Sequence, residues 1–280
     1  MTPRAHRRFT ILGSGSSGGV PRADGDWGAC DPTEPRNRRR RCSLLVQQWR
    51  EGETDDPQAA TTIVIDTSPD FREQAIDARL KRLDAVVFTH DHADQAHGLD
   101  DVRAFALRQR KRIPVYLDAP TRKTLTRRFS YCFHGEGGYP PILQAMPDIA
   151  PGAPFAVDGP GGPIPLLPIL QDHGAGAVSL GFRIGAFGYS NDVVDLDDAA
   201  FVALAGVRVW VVDALRYTPH PTHAHLERAL AWIAQLGPER AILTNLHVDL
   251  DYARLTQETP AEVEPAYDGL SIDIVEAFQS

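Results

Sequence analysis

Five times along this 280-residue chain an apolar run gives out onto a histidine or a carboxylate. Thr61 to Ile65 leads to Asp66, Asp84 to Phe88 to His90, Ile164 to Leu170 to His173, Phe187 to Tyr189 to Asp192, and Val207 to Val212 to Asp213. Each run reads as a strand. Polar residues placed for unrelated structural reasons would not recur at strand ends. The repetition therefore predicts an α/β protein in which two sheets bring their strand ends to one polar floor, the place where such folds put their chemistry.

The floor is densest between Phe88 and Asp100, where His90, His92, Asp94 and His97 fall within eight positions. Imidazole nitrogens and carboxylate oxygens are ligands for divalent transition metals, and an H-x-H-x-D spacing on a tight strand-to-helix turn lets three side chains converge. So many candidate ligands suit two ions about 3.5–4 Å apart, bridged by a carboxylate and a hydroxide. His90, His92 and His173 are expected at the first ion, Asp192 at the bridge, and Asp94 at the second ion, where it also serves catalysis. The ions expected are zinc or manganese. Gln95, His97, Asp66 and Asp213 are the further candidates for the second site or for supporting its ligands.

The remainder of the chain frames this floor. Arg8 to Leu12 reads as a strand running into the turn Gly13 to Pro21, whose glycines permit close backbone approach and could present amides to a phosphate. It lacks the spacing of a nucleotide loop, so it reads as a tight turn beside the active site, with Ser16 and Ser17 as candidate substrate contacts. The arginine run Arg36 to Arg41 reads as a solvated face, and its functional alternative is a phosphate-facing rim. Helices are expected over 69–80, 97–110 and 120–130, and strands over 42–48, 113–117, 240–244 and 272–275. The Gly- and Pro-rich stretch 131–163 reads as a lid or dimer loop, and His134 within it as an exposed loop residue. Helix 222–236 is the best-defined helix: Thr222 is its expected N-cap, Leu226, Ala229, Leu230 and Ile233 have helical spacing, and Gly237-Pro238 stops it. That start would put His223 and His225 in the first turn, where free amides and the dipole favour an anion, with His220 just ahead.

A formal charge of −8 argues against general nucleic-acid binding, which needs a basic face, and in favour of a small substrate. Three cysteines at 30, 42 and 132 suggest a reducing compartment. The opening Met1 to Arg8 lacks the apolar core of a secretory signal, and no stretch approaches about eighteen apolar residues. A cytoplasmic protein without membrane contact is expected.

The order His90-x-His92-x-Asp94, then His173, Asp192 and a late histidine after a strand, resembles the metallo-β-lactamase superfamily over nearly the whole chain. Within it the sequence is most similar to the phosphodiesterase branch, especially the cyclic phosphodiesterases of the carbon-phosphorus lyase pathway and, further off, the endonucleases that trim tRNA 3′ ends. The turn ending in Val20-Pro21, the pair Cys42-Ser43, Ser190-x-Asp192 and Pro221-Thr-His223 carry that likeness. It implies a four-layer αβ/βα sandwich spanning 1–280 as one domain, and a His223 that contacts phosphate or protonates a leaving oxygen. Three departures stand out. Gln95 occupies the place of the last histidine in the family's H-x-H-x-D-H, and an amide oxygen suits manganese better than zinc. The late ligand normally follows its strand as Thr-His, but here the chain reads Thr244-Asn245, with His247 two residues on. Imidazole competes better than carboxamide for a transition metal, so His247 is expected to approach the second ion, and His97 could stand in for position 95. Only Cys30 remains of a structural-zinc cysteine cluster, so no structural zinc is expected.

The expected activity is metal-dependent hydrolysis of a small cyclic or nucleotide-like phosphodiester. The alternatives are a tRNA-processing-type endonuclease, which the acidic charge disfavours, a thioesterase, which Pro-Thr-His disfavours, and a non-catalytic ligand carrier, which Gln95 and Asn245 favour.

Overall fold

A computed structural model describes residues 4–53 and 56–277. The first sheet is built from β1 (Arg4–Gly13), β2 (Ser43–Arg50), β3 (Thr61–Ile65), β4 (Ala85–Val87), β5 (Ile113–Tyr116), β6 (Leu143–Ala145) and, from the far end of the chain, β14 (Ser271–Ala277). Its seven strands run in the order β14-β1-β2-β3-β4-β5-β6. The second sheet takes β7 (Phe155–Val157), β8 (Ile164–Asp172), β9 (Val178–Ile184), β10 (Phe187–Ser190), β11 (Val209–Asp213), β12 (Arg240–Thr244) and β13 (Val263–Pro265). Their order is β13-β12-β11-β10-β9-β8-β7.

The strand sequences explain why both faces of each sheet are covered. In β3 every residue of Thr-Thr-Ile-Val-Ile is buried, so alternate side chains must enter two different cores. Ile63 and Ile65 point between the sheets, where Phe9, Leu44 and Val46 meet Leu180, Phe182, Phe187 and Val211. Phe9 and Phe187 stack across that interface with ring centroids 3.8 Å apart. Truncating Phe9 to alanine should cost about 3–5 kcal/mol, the usual cost of emptying an aromatic site in a packed core. Val64 points the other way, into a layer made with Phe71, Leu99, Phe105 and Leu125. Those residues belong to α1 (Phe71–Asp77), a 3₁₀ turn at Leu99–Val102, α3 (Arg103–Gln109) and α4 (Ala119–Arg128), with the short α2 (Ala93–Ala96) and α5 (Ser130–His134) beside them. On the other side Trp210, Val212 and Leu243 pack under α6 (Asp198–Leu204), α7 (Leu226–Leu236) and α8 (Tyr252–Glu258). Helix, sheet, sheet, helix is the four-layer sandwich expected.

Parallel registers level the strand ends. Ile65 lies beside Val87, Ser190 beside Val212, and Asp213 beside Thr244. Just past three of these ends, the chain turns through positive φ at non-glycine residues: 63° at Asp66, 54° at Asp192 and 62° at Asn245. Asp and Asn tolerate this region because their short polar side chains bond locally, and such outliers gather at functional sites.

Several expectations about helices change. The chain from 97 to 110 is broken: α2 ends at Ala96, with His97 as its C-cap, and the 3₁₀ turn precedes α3. The stretch 131–163 holds α5 and the edge strands β6 and β7. Helix α7 begins at Leu226, capped by the backbone of His225, so Thr222 is not its N-cap. The preceding backbone is tied elsewhere, Ala224 N donating to Val193 O and Leu226 N to Arg216 O. Residues 222–225 are therefore held as a loop, and His223 owes nothing to the helix dipole.

Candidate metal centre and adjoining cleft

His90, His92 and His173 each offer a ring nitrogen within 4.8 Å of the others, and His173, Asp192 and His223 form a second such group sharing one member. His92 Nδ1 and His173 Nε2 are 3.2 Å apart. Two of these rings are oriented from behind. His173 Nδ1 donates to the Thr222 carbonyl at 2.9 Å. At His90, the Thr89 hydroxyl donates to Asp66 Oδ2 at 2.8 Å and accepts from Nδ1 at 2.9 Å. That chain of bonds leaves the His90 Nε2 lone pair facing inward, buried and without a partner. An orphaned imidazole nitrogen among converging imidazoles is what a metal ligand looks like without its ion.

The electrostatics agree. Burial, with His92 and His173 alongside, holds His90 well below the usual imidazole range. Burial and His223 push His173 down to about 4. Both rings are thus neutral near pH 7, the form that binds metal. Asp66, which braces Thr89 through its amide and hydroxyl, is pushed up to about 8 by burial.

The other half of the floor is built of carboxylates and amides. Asp192 Oδ2 accepts from Gln95 Nε2 at 2.8 Å and from Asn191 Nδ2 at 2.6 Å. Burial, then Asp94, pushes the Asp192 carboxyl well above the usual carboxylate range. Gln95 Nε2 also reaches toward Asp94 at 3.4 Å, which leaves Gln95 Oε1 buried without a partner. Asn245 Nδ2 lies 3.3 Å from Asp213 and 3.5 Å from Asp192. A cation here would relieve the buried carboxylates and give Gln95 Oε1 a partner after an amide flip, so the residues present fit a second ion as well.

His223 stands where this floor meets open space. Its Nδ1 bonds Asp213 Oδ2 at 2.8 Å, leaving Nε2 as the free nitrogen. Burial alone would lower its pKa, but Asp213, with Asp192 and Asp94 behind it, outweighs that and raises it to about 9. The ring borders a cleft of about 260 Å³ lined also by Ser16, Ser17, Arg22, Arg216, His220 and His247. Those side chains bring two guanidinium groups, two hydroxyls, two further imidazoles and no carboxylate.

Two of the expected second-site residues lie elsewhere. His97, turned outward at the end of α2, packs its ring edge-on against Phe129. His247 is in neither group of converging ligands among the described residues; the positive-φ turn at Asn245 carries the chain past the floor, and its Nε2 meets Arg22 Nη2 at 2.5 Å in the cleft. Asn245 is the residue that stays beside Asp192. Sequence reasoning missed Thr89 and Asn191, although they sit immediately before His90 and Asp192, and read Thr222 as a helix cap, not as the carbonyl that holds His173. It also passed over Arg22 and Arg216.

The profile of the β-lactamase superfamily domain matches residues 61–245, which run from β3 to Asn245. The crystal structure of a diphosphatase from the PhnP family superposes with a TM-score of 0.85 at 30% identity, covering 98% of this chain and 100% of that one. Zinc-bound PqqB from Methylobacterium extorquens shares the fold at 16% identity, with a TM-score of 0.71 over 95% of this chain and 100% of its own. A Porphyromonas gingivalis protein named octanoyltransferase is 32% identical over 274 residues, which is 96% of this chain but 52% of that one. The chain thus spans about half the length of that relative. No helix among the described residues is long and apolar enough to cross a membrane.

Proposed function

Because this chain belongs to the metallo-β-lactamase superfamily of hydrolases, in its phosphodiesterase branch, we propose that it hydrolyses a phosphoric ester linkage in a small substrate, a cyclic or nucleotide-like phosphodiester, with two divalent ions at the floor. His90, His92 and His173 would hold one ion, Asp94 and Gln95 the other, and Asp192 both, with Asn245 beside them. When bound, such ions supply electrophilic charge and lower the pKa of water. The observation that carries the reading is His223: an imidazole held by Asp213 at 2.8 Å, between that floor and a cleft without lining carboxylates.

The chain's own residues divide the remaining work. Arg22, Arg216 and the Ser16-Ser17 turn offer donors to phosphoryl oxygens, as guanidinium groups do wherever phosphate is recognised. Asp213 keeps His223 protonated and fixes the direction of Nε2. As water oxygen adds to phosphorus and the P–O ester bond breaks, Nε2 gives its proton to the leaving oxygen. A cleft of about 260 Å³ falls below the roughly 300–1,000 Å³ of ordinary small-molecule pockets, which favours a compact substrate over a folded RNA. The diphosphatase of the PhnP family supports phosphorus chemistry. The octanoyltransferase name describes a chain nearly twice as long and is not carried over. The amides at 95 and 245 favour one second reading, a ligand carrier of the same fold.

His223→Ala, assayed on an alkyl phosphodiester and on a nitrophenyl ester with zinc or manganese, tests the proposal. Turnover on the alkyl ester should fall about 10²–10⁴-fold, the usual loss with a general acid, with a smaller loss on the nitrophenyl ester and unchanged metal content. Unchanged turnover on the alkyl ester would remove His223 from the reaction, and an inactive wild type across phosphodiesters and cyclic nucleotides would favour the carrier.

A further inference from the structure

The arginine run finds no use in the active site, and its geometry shows where it is used. Residues 38–41 are extended, Arg38 at φ −76° and ψ 107°, with Arg39 paired to Val20 through both backbone groups. Extension alternates the side chains. Arg39 turns inward, 2% exposed, toward Asn37 and the His247 carbonyl, and Arg41 toward Asp70. Arg36, Arg38 and Arg40 turn the other way, into a cavity of about 580 Å³ that Arg8 enters from β1. This cavity shares no lining residue with the cleft at His223.

Four arginines line it against two acidic residues, Asp77 and Asp268, in a chain of formal charge −8, although the Arg36 guanidinium also stacks over Tyr252. Three of the arginines pair with acids near the surface: Arg36 with Glu34, Arg40 with Asp77, and Arg8 with Asp273. Exposed pairs of this kind contribute little and exchange readily for a better acceptor. Arg38 is exposed, and its side chain makes no hydrogen bond or ion pair among the described residues. Between the charged groups lie Leu12, Leu45 and Ala78 with Thr10, Gln47 and Gln74, and half-buried Tyr267 forms one wall. Arginines beside a tyrosine and a few aliphatic side chains, in a volume within the roughly 300–1,000 Å³ of ligand pockets, suit a molecule with clustered phosphates and an organic body.

We propose that this cavity is a second ligand site, separate from the hydrolytic centre, that binds a compact organic polyphosphate of the nucleoside di- or triphosphate class. Arg38 and Arg36 are its exchangeable anion contacts. Arg40 is a poor probe, because its charge acts on Asp268, which accepts from Ser14, two residues before the active-site Ser16.

The test is calorimetric titration of ATP and of pyrophosphate, free of divalent metal, into the wild type and an Arg36→Glu/Arg38→Glu double variant of equal melting temperature. The wild type should bind ATP more tightly than pyrophosphate. The charge-reversed variant should lose about ten-fold or more in ATP affinity, a conservative Arg36→Lys/Arg38→Lys variant should keep most of it, and hydrolysis of a model phosphodiester without ATP should proceed at the wild-type rate in both. No ATP binding by the wild type, or equal binding by the charge-reversed variant, overturns the site. Equal affinity for ATP and pyrophosphate overturns its assignment to an organic ligand.

Discussion

The two halves of the polar floor are built on opposite principles. On one half, His90 and His173 are neutral rings aimed from behind by Thr89 and the Thr222 carbonyl, and their inward nitrogens meet only other imidazoles or nothing. On the other, Asp192, Asp213, Gln95, Asn191 and Asn245 hold one another through amide N–H groups. The difference teaches that one half is set in place before an ion arrives, whereas an ion entering the other must displace bonds already made. Preorganised neutral ligands favour affinity, and self-satisfied ones make it conditional.

The largest expected effect comes from deleting a member of the imidazole half. His92→Ala should remove at least one metal equivalent and lower activity by more than the roughly 10–100-fold that loss of a ligand's supporting hydrogen bond costs. Asp192→Ala, which touches both halves, should do the same. Retained activity in either variant would break the division.

Thr89→Val comes next. It keeps the shape of the side chain but cuts the link from Asp66 to His90, so affinity for the first ion should weaken about 10–100-fold while the fold persists. Measured metal affinity equal to the wild type would mean that His90 is placed by packing alone.

A pH titration of metal affinity sharpens the contrast further. His173 is pushed down to about 4 and His90 lies low as well, so those two rings stay deprotonated as pH falls from 7 to about 5. Asp192 is raised, so it holds its proton to higher pH than an ordinary carboxylate, and an ion must displace that proton. The carboxylate half should therefore weaken as pH falls over a range where His90 and His173 take up no proton. Parallel pH dependence for both ions would contradict the account. The smallest effect is expected from Gln95→His, which should tighten zinc binding at the second ion and leave the first unchanged. A weaker second ion in that variant would show that the Gln95 amide is already the better partner.

How much of this was legible in the sequence follows the same division. The imidazole half could be read because His90, His92 and His173 follow apolar runs whose burial forces them to the sheet ends. The sandwich could be read because strands such as Thr61 to Ile65 have no polar face and need cover on both sides. The carboxylate half was readable only in its acids. Whether Asn245 or His247 stays at the floor depends on a single positive-φ turn, which spacing does not reveal. His223 was singled out by the Pro221-Thr-His223 likeness and by a helix position that it does not occupy; its restraint is Asp213, 2.8 Å away, which neither signal named. The arginine run reads as one surface in sequence, and only its extended backbone sorts it into an inward and a cavity-facing set.

The central claim, a floor of two unlike halves that together hold two ions, is tested most directly by elemental analysis of the wild-type protein after loading with zinc or manganese and removal of free metal. The account predicts close to two equivalents per chain, the second lost first on acidification. Fewer than one equivalent would contradict it.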